Sequence, residues 1–164
     1  ISLKFLLGNI EMSQITNDAE FKKALQDMDA TQQRIVAALF IKHVLPLSDD
    51  DRIKRVIKVA ADDNATEGEI SDALKTARSA IMDSSTRCGA EGNWTDQAGY
   101  FVGRAVVAAL SPEEQSRGRS PAWQAAMSSR MARTSVLIDD DSDQMVTHSE
   151  DQWQYDTLSS FLGS

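Results

Sequence analysis

Acidic side chains near the C-terminus recur at a spacing that suits a hard cation. Asp139, Asp141 and Asp143 take positions 1, 3 and 5 of a calcium loop, Val146 takes the apolar eighth and Glu150 stands at the twelfth. Such a loop works by wrapping about six oxygens round the ion between two helices. Gln144 occupies the sixth position, where the sharp turn calls for glycine, and the chain has no second loop of this type to pair with. A solvated acidic linker accounts for the same residues, because chance spacing within a charge run mimics a ligand set. Calcium binding therefore stands as an alternative, and no metal-ligating residue is assigned.

Nucleophilic chemistry would need Cys88 and His43, since a thiolate forms only beside a base or cation. One cysteine and one histidine with no fixed spacing are more simply read as a buried thiol and a helix-end imidazole meeting the last carbonyls. Capping is the simpler role for His43. His148 is the second of two histidines, and the chain lacks HExxH, CxxC and any histidine pair on one helix face, so a catalytic transition-metal site is not expected. Gly99 and Gly103 are not a phosphate loop, because no strand precedes them and no Lys-Ser/Thr pair follows. Arg52, Arg55, Arg78, Arg104, Arg130 and Arg133 are spread over four predicted helices. They would line an anion groove only if folding brought them together, and ordinary surface pairing with nearby acids is the plainer expectation. The basic loop Arg117-Gly118-Arg119 carries no more than that. No catalytic, cofactor-binding or metal residue is assigned, and no cofactor is implied.

The elements that must position these residues are helices. Ile35, Val36, Leu39, Phe40 and Val44 recur at intervals of three and four in a helix that Pro46 stops near Leu45. Ser48-Asp49-Asp50-Asp51 supplies an N-cap and first-turn carboxylates for a helix burying Ile53, Val56, Ile57 and Ala60. Thr66-Glu67-Gly68-Glu69 reads as a capping box ahead of Ile70, Ala73, Leu74, Ala77, Ala80 and Ile81. Before these, Asn17 opens a short helix with Phe21, Ala24, Leu25 and Met28 on one face.

After them, residues 87–93 carry two glycines and read as a loop. Thr95 then caps a helix with Ala98, Phe101, Val102, Ala105, Val106 and Ala109, where Gly99 and Gly103 admit a close neighbour. Ser111-Pro112-Glu113-Glu114 predicts a turn or two of helix. Ser120-Pro121 predicts a long helix with Trp123, Met127, Met131, Leu137 and Ile138 as its stripe and alanines as filler. Thr147-His148-Ser149-Glu150 reads as a further capping box, opening a helix with Trp153, Leu158, Phe161 and Leu162. Trp123 and Trp153 are expected as core anchors, or as interface markers if exposed. Nothing alternates over more than four residues in the manner of a strand. The fold class is all-α: a single-domain bundle of about six to eight helices. Residues 1–16 form an N-terminal extension, 17–138 the helical domain, and 139–164 an acidic loop and C-terminal helix packed on or flanking it.

With 164 residues, 41% hydrophobic and 26% charged, the chain suits one domain with its own core. Cys88 stands alone, so no internal disulfide is expected and a reducing, cytoplasmic setting is the default. Phe5-Leu6-Leu7 is too short for a signal or membrane segment, and Met12 is a candidate start that would leave residues 1–11 an upstream extension. The net charge of −8 is uneven. From Thr134 onward there are seven acidic residues (Asp139, Asp140, Asp141, Asp143, Glu150, Asp151 and Asp156) and no Lys or Arg. That end repels phosphates, so neither nucleic acid nor membrane is an expected ligand, and it would suit a basic protein partner or serve as a solubilising tail.

One stretch carries a resemblance. His43-Val44-Leu45-Pro46-Leu47, Asp49-Asp50-Asp51-Arg52 with Ile57 and Ala60, Gly68-Glu69-Ile70, Ala77-Arg78-Ser79-Ala80 and Gly103-Arg104-Ala105-Val106 resemble a family of bacterial helical immunity proteins of polymorphic toxin systems, over about residues 31–110. The chain departs from that family at Ile53, where proline is usual, at residues 62–64, where tryptophan is common, and around Arg104 and Leu110, where histidines are common. The resemblance implies an alanine-rich bundle that binds a protein partner, and it brings no catalytic residue. The sequence thus supports three functions: a non-catalytic protein-binding domain of immunity type, a small-molecule or enzymatic bundle with a site assembled from distant residues, and a calcium module.

Overall fold

The structure is a computed structural model that describes residues 15–91, 94–112, 120–139 and 144–163, the side chains of 87–91, 94–95, 137–139 and 144–149 excepted. Seven α-helices follow one another among the described residues, with no strand: α1 Asp18–Gln26, α2 Ala30–Val44, α3 Asp51–Ala61, α4 Glu67–Glu91, α5 Trp94–Leu110, α6 Pro121–Asp139 and α7 Gln144–Gly163. The all-α bundle expected from the periodicity is what the chain forms.

Local chemistry sets most of the helix starts. The Asn17 side chain accepts from the Glu20 backbone N–H, and the Glu20 carboxylate accepts in return from Thr16. Asp29 and Gln32 close a capping box at the start of α2, a signal the sequence reading passes over because both residues are polar and unremarkable in a helix. Ser48 Oγ accepts from Asp50 N and Asp50 Oδ1 accepts from Arg52 N, which starts α3. The Thr66–Glu69 box forms as expected, and Ser120 Oγ accepts from Trp123 N with Pro121 at the first helical position. A short 3-10 turn, Leu45–Leu47, contains Pro46 and ends α2.

Three boundaries differ from expectation. Helix α4 does not stop before residue 87 but runs to Glu91, through Gly89, because one interior glycine costs only about 1 kcal/mol and does not by itself break a helix. Helix α5 begins at Trp94, so Thr95 lies inside it and is not its cap. Helix α7 begins at Gln144, which places Thr147 and Glu150 inside the helix instead of in a cap. The short helix expected at Glu113–Glu114, the Arg117–Arg119 loop and the N-terminal segment before residue 15 lie outside the described residues.

One hydrophobic cluster joins residues from Ile15 to Leu158. Its middle is α6, which packs most extensively on α5 and also on α2, α7 and α1, while α3 and α4 cover the far side of α5. The stripe expected on α6 is not its most buried face where its side chains are described; those of Leu137 and Ile138 lie outside the described residues. Its buried residues are Ala122, Ala125, Ala126, Ser129, Ala132 and Ser135, whereas Met131 is 49% exposed and Trp123 and Met127 are only partly buried. The cause is crowding: with neighbours on several sides, α6 turns its small residues inward, where they allow backbones to approach, and its large ones to the rim. Ser129 and Ser135 fit there because each hydroxyl donates to the carbonyl four residues back, at 2.8 and 2.9 Å.

Close approach is sharpest at Gly103, where an added Cβ would lie 3.1 Å from Ile81 Cγ1. At Gly99 the nearest atoms to such a Cβ are 3.9 Å away, ordinary contact distance. Gly103→Val is therefore expected to destabilise by about 1–3 kcal/mol through overpacking, whereas Gly99→Ala is expected to be neutral or to stabilise by up to about 1 kcal/mol through helix propensity. Urea unfolding midpoints of the two variants check the difference.

Candidate functional site

Helix α7 is held to the bundle largely by polar side chains, and these bring the charged residues together. Glu150 is 3% exposed. Its Oε2 lies 2.9 Å from His43 Nδ1 on α2, and its Oε1 accepts from Arg133 Nε on α6 at 3.2 Å. Arg133 Nη2 donates to the His43 carbonyl, so this arginine, and not the imidazole, meets the free carbonyls at the end of α2. The capping role expected of His43 is thus corrected: its ring stacks flat on Trp153, with centroids 3.7 Å apart and an angle of 9°. A carboxylate against one imidazole nitrogen can orient a general base, but His43 lines neither of the two clefts described below.

One turn along, Gln154 is fully buried, donates from Nε2 to the Ala126 carbonyl and accepts from Arg130 Nε at 2.8 Å. Arg130 also grips Asp18 with two hydrogen bonds, of 2.9 and 3.2 Å, and approaches Asp151 at 3.4 Å. Its guanidinium lies 5.5 Å from the Phe21 ring centroid. The Tyr155 hydroxyl donates to Asp18 Oδ1 at 2.7 Å. Hydrogen bonds from Arg130 hold the Asp18 carboxyl below its ordinary range, against some loss of solvation and with help from Tyr155. Burial, with the hydrogen bond to Asp18 after it, pushes the Tyr155 phenol up to about 12.

Clefts open between the described helices. One, of about 540 Å³, lies between the start of α3 and helices α4 and α5, lined by Leu47, Ser48, Asp49–Arg52, Ser84, Asp96 and Gly99. Arg52 is clamped there by Asp50 at 2.8 Å and Asp83 at 2.9 Å, which raises its pKa further. Another is a more open groove of about 440 Å³ between α2 and α7, lined by Leu39, Trp153, Asp156, Thr157, Ser160 and Phe161.

Four of the six arginines are placed by their contacts. Arg52 sits by the first cleft, Arg130 and Arg133 face α7 from α6, and Arg104 lies over the Tyr100 ring at 5.9 Å. Trp123 and Trp153 are partly buried against the core and stand at its rim, not at its centre. The side chains of Cys88, His148, Asp139, Asp141 and Asp143 lie outside the described residues, so their meeting in a dyad or a calcium loop is not described. The remaining member of that loop, Glu150, already has an oxygen on each of two basic partners. Residues from Gln144 onward, the sixth loop position, are helical. Among the described residues no group of three metal-ligating side chains converges, and no helix is long and apolar enough to cross a membrane.

Sequence reasoning missed this network because its members are far apart, His43 and Glu150 by 107 positions, and because Glu150 also completed a capping box and a calcium spacing. A signal existed: Arg130 and Arg133 are three apart on one helix, and Glu150 and Gln154 four apart on the next, so each pair shares a face. Comparison with family models, curated proteins and solved structures returns no match.

Two outcomes follow from the network. Arg133→Ala is expected to destabilise by about 2–3 kcal/mol, because it leaves a buried carboxylate with one partner, and adding Glu150→Gln should recover part of the loss in chemical denaturation. Asp18 is ionised more readily in the folded chain, so its contribution is complete above the unfolded carboxyl value of about 4 and is lost as pH falls through the lower folded one. Thermal melts between about pH 2 and pH 6 should show a shallower acid decline in Asp18→Asn than in the parent chain.

Proposed function

We propose that this protein is a non-catalytic helical domain that binds a basic protein partner. The observation that carries the reading is the outer surface of α7. Helix α7 has no Lys or Arg, and of its three carboxylates Glu150 and Asp151 are engaged by Arg133 and Arg130, which leaves Asp156 facing outward. The two arginines that face α7 from α6 are taken up internally, Arg130 by Asp18, Asp151 and Gln154, and Arg133 by Glu150 and the His43 carbonyl. The outward carboxylate of Asp156 and the half-exposed rings of Trp153 and Phe161 face one groove. Aromatic rings beside uncompensated charge of one sign suit recognition by a partner of the opposite sign.

An immunity-type inhibitor, occluding a toxin's active surface in the cytoplasm, is the form that the resemblance over residues 31–110 suggests. Occlusion needs rigidity and complementarity and no chemistry of its own, which suits side chains locked in internal ion pairs. The expected outcome is a stable complex with one basic protein from the native cell, seen by size exclusion and native mass spectrometry. It should weaken at least tenfold between about 0.1 and 1 M salt as the screening length falls from about 10 to about 3 Å. Absence of such a complex, or one indifferent to salt, would count against the reading.

A further inference from the structure

The groove between α2 and α7 has features that specify an occupant. Its apolar members, Leu39, Trp153 and Phe161, are packed on the core from behind yet remain partly exposed. Trp153 is immobilised before any partner arrives, since His43 stacks on its face at 3.7 Å and Glu150 fixes that imidazole at 2.9 Å. A pre-ordered tryptophan loses little conformational entropy on contact, which is the property of a binding hot spot. Trp153 and Phe161 lie eight residues apart on α7, about 12 Å along its axis at 1.5 Å per residue. Between them Asp156 is exposed and accepts from Gln152 Nε2 at 2.9 Å; among the described residues it forms no ion pair.

Resting on the protein-binding reading above, we infer that this groove takes an amphipathic helix of the partner, one that presents apolar side chains at positions i and i+7 and a Lys or Arg between them. The i to i+7 rise of about 10.5 Å matches the Trp153 to Phe161 span. The intervening cation meets Asp156, and Thr157 and Ser160 line the groove, where small side chains let a backbone approach. Charge complementarity selects this helix over an acidic or purely apolar one, because the wall supplied by α7 carries the exposed Asp156 and no Lys or Arg.

The test is selection of a displayed library of helical peptides, randomised on one face, on the full chain, followed by titration of the enriched peptide by fluorescence anisotropy. Enrichment of apolar residues at i and i+7 with Lys or Arg between them is expected. Binding of that peptide should weaken at least tenfold in Trp153→Ala and in Ser160→Arg, the second being an exposed position that leaves the core intact, as an unchanged melting temperature would verify. Selection on Asp156→Lys should move the middle position to Asp or Glu. No enrichment, enrichment of acidic or unpatterned peptides, or binding unmoved by both Ser160→Arg and Asp156→Lys would overturn the assignment. A native partner that binds Ser160→Arg as tightly as the parent chain would sink the groove and leave the protein-binding reading standing. Enriched basic peptides without any native complex would do the reverse.

Discussion

The structure depends on the close packing of small side chains along α6. Alanines and serines on its inward side let α5, α2 and α7 approach a single rod, and the dense interior that results leaves no room there for large residues. Among the described residues Met131 is driven outward and Trp123 and Met127 stand at the rim, while Arg130 and Arg133 at the edges find partners across a helix boundary. Gln33 shows the rule in miniature. It is buried, and it donates to the Met28 carbonyl and accepts from Ser120 Oγ, tying the start of α2 to the start of α6.

That constraint explains how α7 is attached. Leu158 is its one fully buried apolar side chain among the described residues, while Glu150, Gln154 and Tyr155 do the holding through Arg133, Arg130, His43 and Asp18. Polar fastening is directional, since each bond has a preferred distance and angle, so it fixes the rotation of the helix more tightly than grease would. Rotation is what matters here. With Glu150 and Gln154 turned inward, Trp153, Asp156 and Phe161 come to the outer edge facing Leu39, and a groove with acid on its wall is the consequence.

Buried charge usually signals either function or expensive architecture. Around α7 the ion pairs run from helix to helix. Arg130 and Arg133, both on α6, hold α7, and Arg130 reaches back to α1 through Asp18. His43 is drawn into the set by Glu150 and covered by Trp153, so the imidazole links a buried carboxylate to a half-exposed indole. The interior network thereby supports the surface that the protein offers to others.

The sequence by itself determined the helices and most of their starts. Apolar spacing of three and four, Pro46, Pro121 and the capping residues Asn17, Asp50, Thr66 and Ser120 act within a turn or two of chain, and interactions that local survive any arrangement of the rest. It misled at Gly89, Thr95 and Thr147, where a glycine or a capping pattern had the right local form but the backbone is already helical there. What only the tertiary structure decided was direction. Whether α6 turned its methionines or its alanines inward, and whether Glu150 capped a helix, held a cation or met His43 and Arg133, depended on neighbours many residues distant. The physical reason is that burial and ion pairing are settled by what lies across the helix boundary, and the linear order of residues does not encode that neighbour in any short span.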